Sequence, residues 1–416
     1  MSERATDDTV YDFDTVVDRR HDPFSYSVKW GCDPHVASHC GVSRITDEHI
    51  PLFTADMDFR CAEPILDAFR KTVDHGIFGY SSEDRDGRYR EAVRSWFSRR
   101  DGWDIDTSRM LFCPGTVNAL RYAVEAFTDP GDAVIIQRPV YPPFTGVLVE
   151  TGRTLLDNHL VRHTDADAQG DLYCTMDFDG LEELASRDDA KLLILCNPHN
   201  PVGRVWHEDE LRRLADICIR HGVMVLADEI HGDLMLYGNR ICHFAAVAPE
   251  ARSLTCTATN KTFNLAGVPA TNVVFSSGRD MRAFRQFTLH SEPSPFAISS
   301  VIAAYNEGEN WLTQCLRYIE DNVDMVVDYF GEHLPDVGVR KPEGTYILWF
   351  DFTERCRKLG IDGAELHRRI YEDAKVILQD GTNFDPEGGA FFQRMVVPSP
   401  RSVIRDACER IARVLA

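Results

Sequence analysis

No stretch of this chain approaches the roughly 18 consecutive apolar residues that a membrane-spanning helix needs. No Cys-x-x-Cys pair occurs, so zinc ribbons and thioredoxin-type redox motifs are excluded. Neither a GxGxxG turn nor a Walker-type loop is present, and the nucleotide-cofactor fingerprints go with them. Internal repeats, low-complexity tracts and Pro/Gly/Ser linkers are absent too. Positive charge is in short supply: 45 Lys and Arg face 66 Asp and Glu, a net charge of −21. A phosphodiester backbone would be repelled by that field, so no nucleic-acid partner is expected. The first residues, MSERATDDTVYDFD, are acidic and lack the apolar core of an export signal. Together with twelve scattered cysteines, several inside apolar runs, this leads us to expect buried thiols and a cytoplasmic protein.

What is there is a globular chain of 416 residues, 44% hydrophobic and 27% charged. From about residue 51 to 290, short apolar runs alternate with helical spacing. DAVII (132–136), KLLILC (191–196), VMVLAD (223–228), SLTCTAT (253–259) and TNVVFSS (271–277) read as strands. EPILDAFRKTVDH, RYREAVRSWFSRR and the acid-led, glycine-ended HEDELRRLADICIRHG read as helices. Strands apolar on both faces and separated by helices predict an α/β fold with a mostly parallel central sheet flanked by helices. Beyond about residue 296 come two long helical stretches, the alternating TYILWFDF, the strand candidates VILQ and FFQRMVV, and an amphipathic last helix. That pattern predicts a smaller α+β C-terminal domain. The expected division is 1–50 as an N-terminal arm and part of the small domain, 51–295 as the large domain, and 296–416 as the small one.

Four motifs follow strands, where open α/β sheets bind ligands. Lys261 opens KTFNLAG two residues after the end of SLTCTAT. A lysine there is either solvated surface or a desolvated amine, fit for Schiff-base formation or proton transfer. Asp228 in LADEIH is either a helix N-cap or a buried carboxylate paired with a cationic ring nitrogen. Asn200 in NPHNPVG is either turn chemistry or an amide donor into the same cleft. PGTV (114–117) opens a helix whose first N–H groups suit a phosphate. Two other patterns are set aside. Cys32, His35, His39 and Cys40 match no usual zinc spacing, so no metal is expected. The Asn260-Lys261-Thr262 sequon is read as chance.

Taken together, these motifs resemble the fold-type I pyridoxal-phosphate (PLP) enzymes of the class I/II aminotransferase superfamily. The closer resemblance is to the MalY/PatB-type cystathionine β-lyases and cysteine-conjugate C–S lyases. It extends over nearly the whole chain, through YDFDTVVDRR, SVKW, TADMDF, HGIFGYS, NPHNPVGRVW, LADEIHGD, NKTFNLAG and PSPRS. The resemblance implies that Lys261 holds PLP and that Asp228 pairs with its ring nitrogen. It places Asn200 and His231 by the ring 3-oxygen and Tyr141 on the ring face. Gly115, Thr116 and Val117 would reach the phosphate through backbone N–H groups, and Tyr80 would reach the phosphate of a second subunit in a homodimer. Arg394 would clamp the substrate α-carboxylate. Many aminotransferases carry a serine three residues before the lysine and an arginine eight after it. Here these are Ala258 and Pro269, which leaves the phosphate's cationic partner unidentified; Thr257 or Thr259 is the candidate hydroxyl. The implied activity is C–S β-lysis of cystathionine, cysteine or a cysteine S-conjugate. The alternatives are an aminotransferase with the same site, or a regulatory binding protein on the same fold.

Overall fold

The computed structural model describes residues 9–31, 42, 44–163, 172–288 and 292–416. Cys32, His35, His39 and Cys40 lie outside the described residues. Seven strands form the main sheet: β1 (Met110–Cys113), β2 (Ala133–Ile136), β3 (Thr154–Asp157), β4 (Ala190–Cys196), β5 (Met224–Asp228), β6 (Ser253–Ala258) and β7 (Thr271–Phe275). Their order is β1-β7-β6-β5-β4-β2-β3. The pairs among β3, β2, β4, β5 and β6 are parallel; β7 runs antiparallel to both β6 and β1. The sheet is therefore mixed but mostly parallel, as expected, with β7 the exception.

Both faces of this sheet are dry, which explains the near-continuous apolar runs. Along each strand, successive side chains point to opposite faces. Val134, Ile194, Leu226 and Leu254 pack with Ala119, Val124 and Phe144 from the helices Thr116–Phe127 and Pro142–Glu150. Ile135, Leu193 and Val225 pack with Leu181, Leu214 and Cys218 from the helices Phe178–Ala185 and Glu208–His221. Leu226 is fully buried, so truncating such a side chain to alanine costs about 2–5 kcal/mol. The ten described cysteines are free thiols, and all but Cys61 and Cys242 are buried.

A second, four-stranded antiparallel sheet contains β8 (Gly338–Val339), β9 (Ile347–Asp351), β10 (Gln379–Asp380) and β11 (Phe392–Val396), in the order β8-β9-β11-β10. TYILWFDF supplies β9, and FFQRMVV supplies β11. VILQ is divided: Val376–Ile377 pairs in parallel with Ile50–Pro51, and only Gln379 continues into β10. Among the described residues no helix is long and apolar enough to cross a membrane.

Candidate active site

The carboxyl ends of β1, β4, β5 and β6 lie on one edge of the main sheet, and β7 begins there, because it runs the other way. Thr271, its first residue, stands opposite both Cys113 and Ala258. Asp228 ends β5, Asn200 follows β4 by four residues, and Lys261 sits in the single turn Thr259–Thr262 after β6. A cavity of about 170 Å³ opens at this edge. Asp228, Lys261, Asn200, His231, Tyr141 and Arg394 all line it. Arg394 arrives from β11, so the second sheet contributes one wall.

Asp228 is buried, and among the described residues its carboxylate accepts a single long bond, from the Ile230 N–H to Oδ1 at 3.4 Å. It is not a helix N-cap. Burial pushes its carboxyl up to about 7, against the pull of that N–H and of Lys261. Lys261 is driven the other way: burial first, then the Arg394 cation, lower its amine to about 8, while Asp56 and Asp228 oppose. Its Nζ donates to Ala55 O at 2.6 Å. A buried acid and a buried amine, each drawn toward its neutral form in a shared cleft, mark a functional site.

Asn200 Oδ1 accepts from Arg394 Nη1 at 3.2 Å, so Nδ2 is the side of the amide turned to donate elsewhere. Arg394 Nη2 donates to Phe53 O at 2.6 Å, and its guanidinium lies 4.8 Å from the Phe384 ring centroid. His231 is buried with no hydrogen-bond partner for Nδ1 among the described residues. Burial, then Lys261 and Arg394, hold its imidazole well below the usual range, so it is neutral. Tyr141 stands at the N-terminus of the helix Pro142–Glu150, and burial raises its phenol.

Gly115 precedes the helix Thr116–Phe127 with φ +106°, a backbone shape that favours glycine. The first N–H groups of that helix have no intrahelical partner. Thr116 Oγ1 lies 2.9 Å from Thr271 Oγ1, and Val117 is exposed. Ala258 is a buried methyl. Pro269 Cβ stands 3.8 Å from where a Cβ on Gly115 would lie. Neither position offers a charge to an anion. Thr257 Oγ1 accepts from Asn272 Nδ2 at 3.5 Å, and that amide in turn accepts from Tyr89 Oη; the Thr257 O–H itself still has its proton to donate. Thr259 Oγ1 is buried and has no partner among the described residues. Gly115, Thr116, Val117 and Thr259 do not line the 170 Å³ cavity itself. Tyr80 does not reach it either: it is 99% exposed.

Residue-by-residue reading of the sequence missed Gln379 and the backbone of Phe53–Ala55, which also line the cavity. Gln379 sits directly opposite Arg394 in the β10–β11 ladder. A two-residue edge strand leaves no periodic signal, and a carbonyl leaves none at all.

An open, mostly parallel sheet with a lysine and an aspartate at its carboxyl edge and an arginine supplied by a second sheet defines a fold-type I transferase. The chain belongs to the aminotransferase class I and II family, whose model matches residues 48–411. It is 39% identical to the cystathionine β-lyase PatB of Bacillus subtilis, over 89% of this chain and 94% of that protein. It superposes on cystalysin from Treponema denticola, whose structure contains a pyridoxal 5'-phosphate cofactor, with a TM-score of 0.87 and 31% identity over 98% of this chain and 99% of that one. The PLP-bound C–S lyase from Staphylococcus hominis gives a TM-score of 0.89 and 27% identity, over 98% and 99% of the two chains.

Proposed function

We propose that this protein is a PLP-dependent carbon–sulfur β-lyase that cleaves cystathionine, cysteine or a cysteine S-conjugate to a thiol, pyruvate and ammonia. The observation that carries the reading is the convergence of Lys261, Asp228 and Arg394 on one buried cavity. PLP suits the residues present. A buried carboxylate with one 3.4 Å hydrogen bond needs a cationic partner, and a pyridinium nitrogen is one. The unpartnered His231 Nδ1 and Thr259 Oγ1 also await a polar group.

In this reading Lys261 holds the cofactor through its amine, and Asp228 faces the ring nitrogen. Tyr141 lies against the ring, and Asn200 and His231 face the 3-oxygen. The Gly115–Val117 N–H groups and the Thr259 hydroxyl take the phosphate. Tyr80 of the partner subunit completes that pocket, so the working species is a homodimer. When bound, PLP supplies the electron sink for the charge left as a bond to the substrate Cα breaks.

The remaining steps belong to the chain's own side chains. Arg394 lines the cavity, and the planar fork of a guanidinium matches an α-carboxylate bidentately. That contact turns the Cα–H bond toward Lys261. Once the substrate's amino group has taken the lysine's place on the cofactor, the freed Lys261 amine, lowered to about 8 by burial, would be partly neutral near pH 7 and would accept the Cα proton. Asp228 must stay ionised throughout, which a cation beside it ensures. Loss of the β-thiolate then completes the cleavage, and water releases pyruvate and ammonia.

The three-part division of the chain (1–50, 51–295 and 296–416) and a cytoplasmic location belong to the same proposal; the buried free thiols suit a reducing compartment. The test is product analysis. Cystathionine alone, with PLP-loaded protein, is expected to yield homocysteine, pyruvate and ammonia in equal amounts. Turnover that requires a 2-oxo acid acceptor would overturn the lyase reading and favour the aminotransferase.

A further inference from the structure

Two backbone carbonyls of one short segment hold the two cations of the cavity. Lys261 Nζ donates to Ala55 O and Arg394 Nη2 to Phe53 O, each at 2.6 Å. Tyr346 Oη also donates to Ala55 O, at 3.0 Å. These charge-assisted bonds are short and directional. The two cations repel each other, since Arg394 lowers the Lys261 amine, and each has its own carbonyl partner.

The segment is irregular chain, anchored at its start by Leu52, whose N–H donates to Ile377 O and whose O accepts from the Val396 N–H, each at 2.9 Å, and held beyond Ala55 by groups outside the cavity. The Asp58 carboxylate is buried and accepts four donors: Arg19 Nη1 at 2.5 Å, Lys29 Nζ at 2.8 Å, Trp30 Nε1 at 2.7 Å and Ser399 Oγ at 2.5 Å. Three of the four come from the N-terminal arm. The Lys29 side chain is 0% exposed, so its ammonium depends on this carboxylate and on Asp56 at 3.6 Å. Arg19 also holds Asp56, at 2.8 Å. Two cations and two anions balance, so this cluster has no excess charge for a ligand. From the other side, Asn264 accepts from Met57 N–H and donates to Met57 O and Phe59 O, at 3.0 to 3.2 Å. Asn264 has φ +57° and stands three residues after Lys261, so it ties the lysine's own turn to the segment.

We propose that Asp58 is a positioning residue: a buried hub through which the N-terminal arm sets the Ala55 and Phe53 carbonyls, and with them the Lys261 amine and the Arg394 guanidinium. This rests on the roles given to Lys261 and Arg394 above. Asp58 touches neither the cavity nor the reacting atoms. It acts through a chain of bonds in which a shift of about 1 Å costs roughly 100-fold in rate.

Asp58→Asn alone would strand the buried Lys29 ammonium and threaten folding. The informative variant is therefore Asp58→Asn with Lys29→Met, which removes both charges of the pair. Asn264→Gly is the second variant; it keeps the left-handed backbone and deletes the three side-chain bonds. Three properties are read on each folded protein: amide hydrogen exchange of residues 52–59 without added cofactor, kcat and KM with PLP, and the site of borohydride-trapped PLP. We expect faster exchange in 52–59, trapping still on Lys261, and kcat falling while KM rises, for a combined loss in kcat/KM of about 100-fold. Should the double variant not fold, Trp30→Phe, which removes one neutral donor to Asp58 and strands no charge, is read the same way and decides. Trapping on Lys261 in the wild type, with kcat and KM unchanged in folded variants, would overturn the hub alone. A wild type that is not trapped on Lys261 would overturn the functional reading and the hub's role with it.

Discussion

Asp228 is the side chain whose environment makes least sense without a ligand. Burial raises its carboxyl to about 7, and one long N–H bond is poor compensation. A cationic ring nitrogen would restore the ionised form. Asp228→Asn removes the charge with little change of shape. It should leave the protein folded and lower kcat by at least about 100-fold, the scale of losing a preorganised electrostatic group. Steady-state kinetics checks this, and a loss of less than fivefold would contradict it. At this scale the sequence was legible where a functional side chain ends a strand, as Asp228 does, or follows one closely, as Lys261 and Asn200 do. It was silent on Ala55, Phe53 and Gln379. Their contributions come from backbone atoms or from a two-residue strand, brought in by contacts across the chain.

The elements owe their placement to packing, and the end of β5 shows how tightly. Glu229 follows Asp228 and is fully buried. Its Oε1 accepts from the Phe244 N–H at 2.8 Å, and its Oε2 lies 2.6 Å from His243 Nδ1. The Nε2 of the same ring lies 3.0 Å from Asp101, the last residue of the helix Arg88–Asp101. Burial opposes protonation of His243, but Glu229 and Asp101 outweigh it and push the imidazole up to about 9. The folded value exceeds the unfolded value near 6.5. The clamp's stabilisation is therefore fully present below pH 6.5 and is lost as pH rises through about 9. The stability difference between wild type and His243→Gln should shrink by roughly 3 kcal/mol across that window. Urea denaturation at pH 6 and pH 9.5 measures it, and a pH-independent difference would remove the clamp. Element type was readable wherever apolar runs were long, as in β4 and β5. Length alone did not decide: the four-residue β2 was readable in DAVII, whereas the equally short β1 and β3 were not. The reversed direction of β7 was invisible, since strand direction is set by which neighbours it pairs with.

For the whole molecule, the second sheet matters because it delivers Arg394 to a site built on the first. The solvent-exposed Tyr80 matters because the proposed homodimer would bring it to the neighbouring subunit's phosphate pocket. Two inactive variants test that sharing. Tyr80→Ala and Lys261→Ala, each impaired alone, should regain activity when mixed and allowed to exchange subunits, because one site in each hybrid then has both residues intact. No recovery in demonstrated hybrids would place Tyr80 outside the site.

The central claim is that the Lys261 amine is the point of cofactor attachment. Borohydride reduction of the PLP-loaded protein, followed by mass spectrometry of its peptides, reads this directly. The account predicts one phosphopyridoxyl group per chain, on Lys261, and none in Lys261→Ala. Label on other lysines with Lys261 unmodified would contradict it.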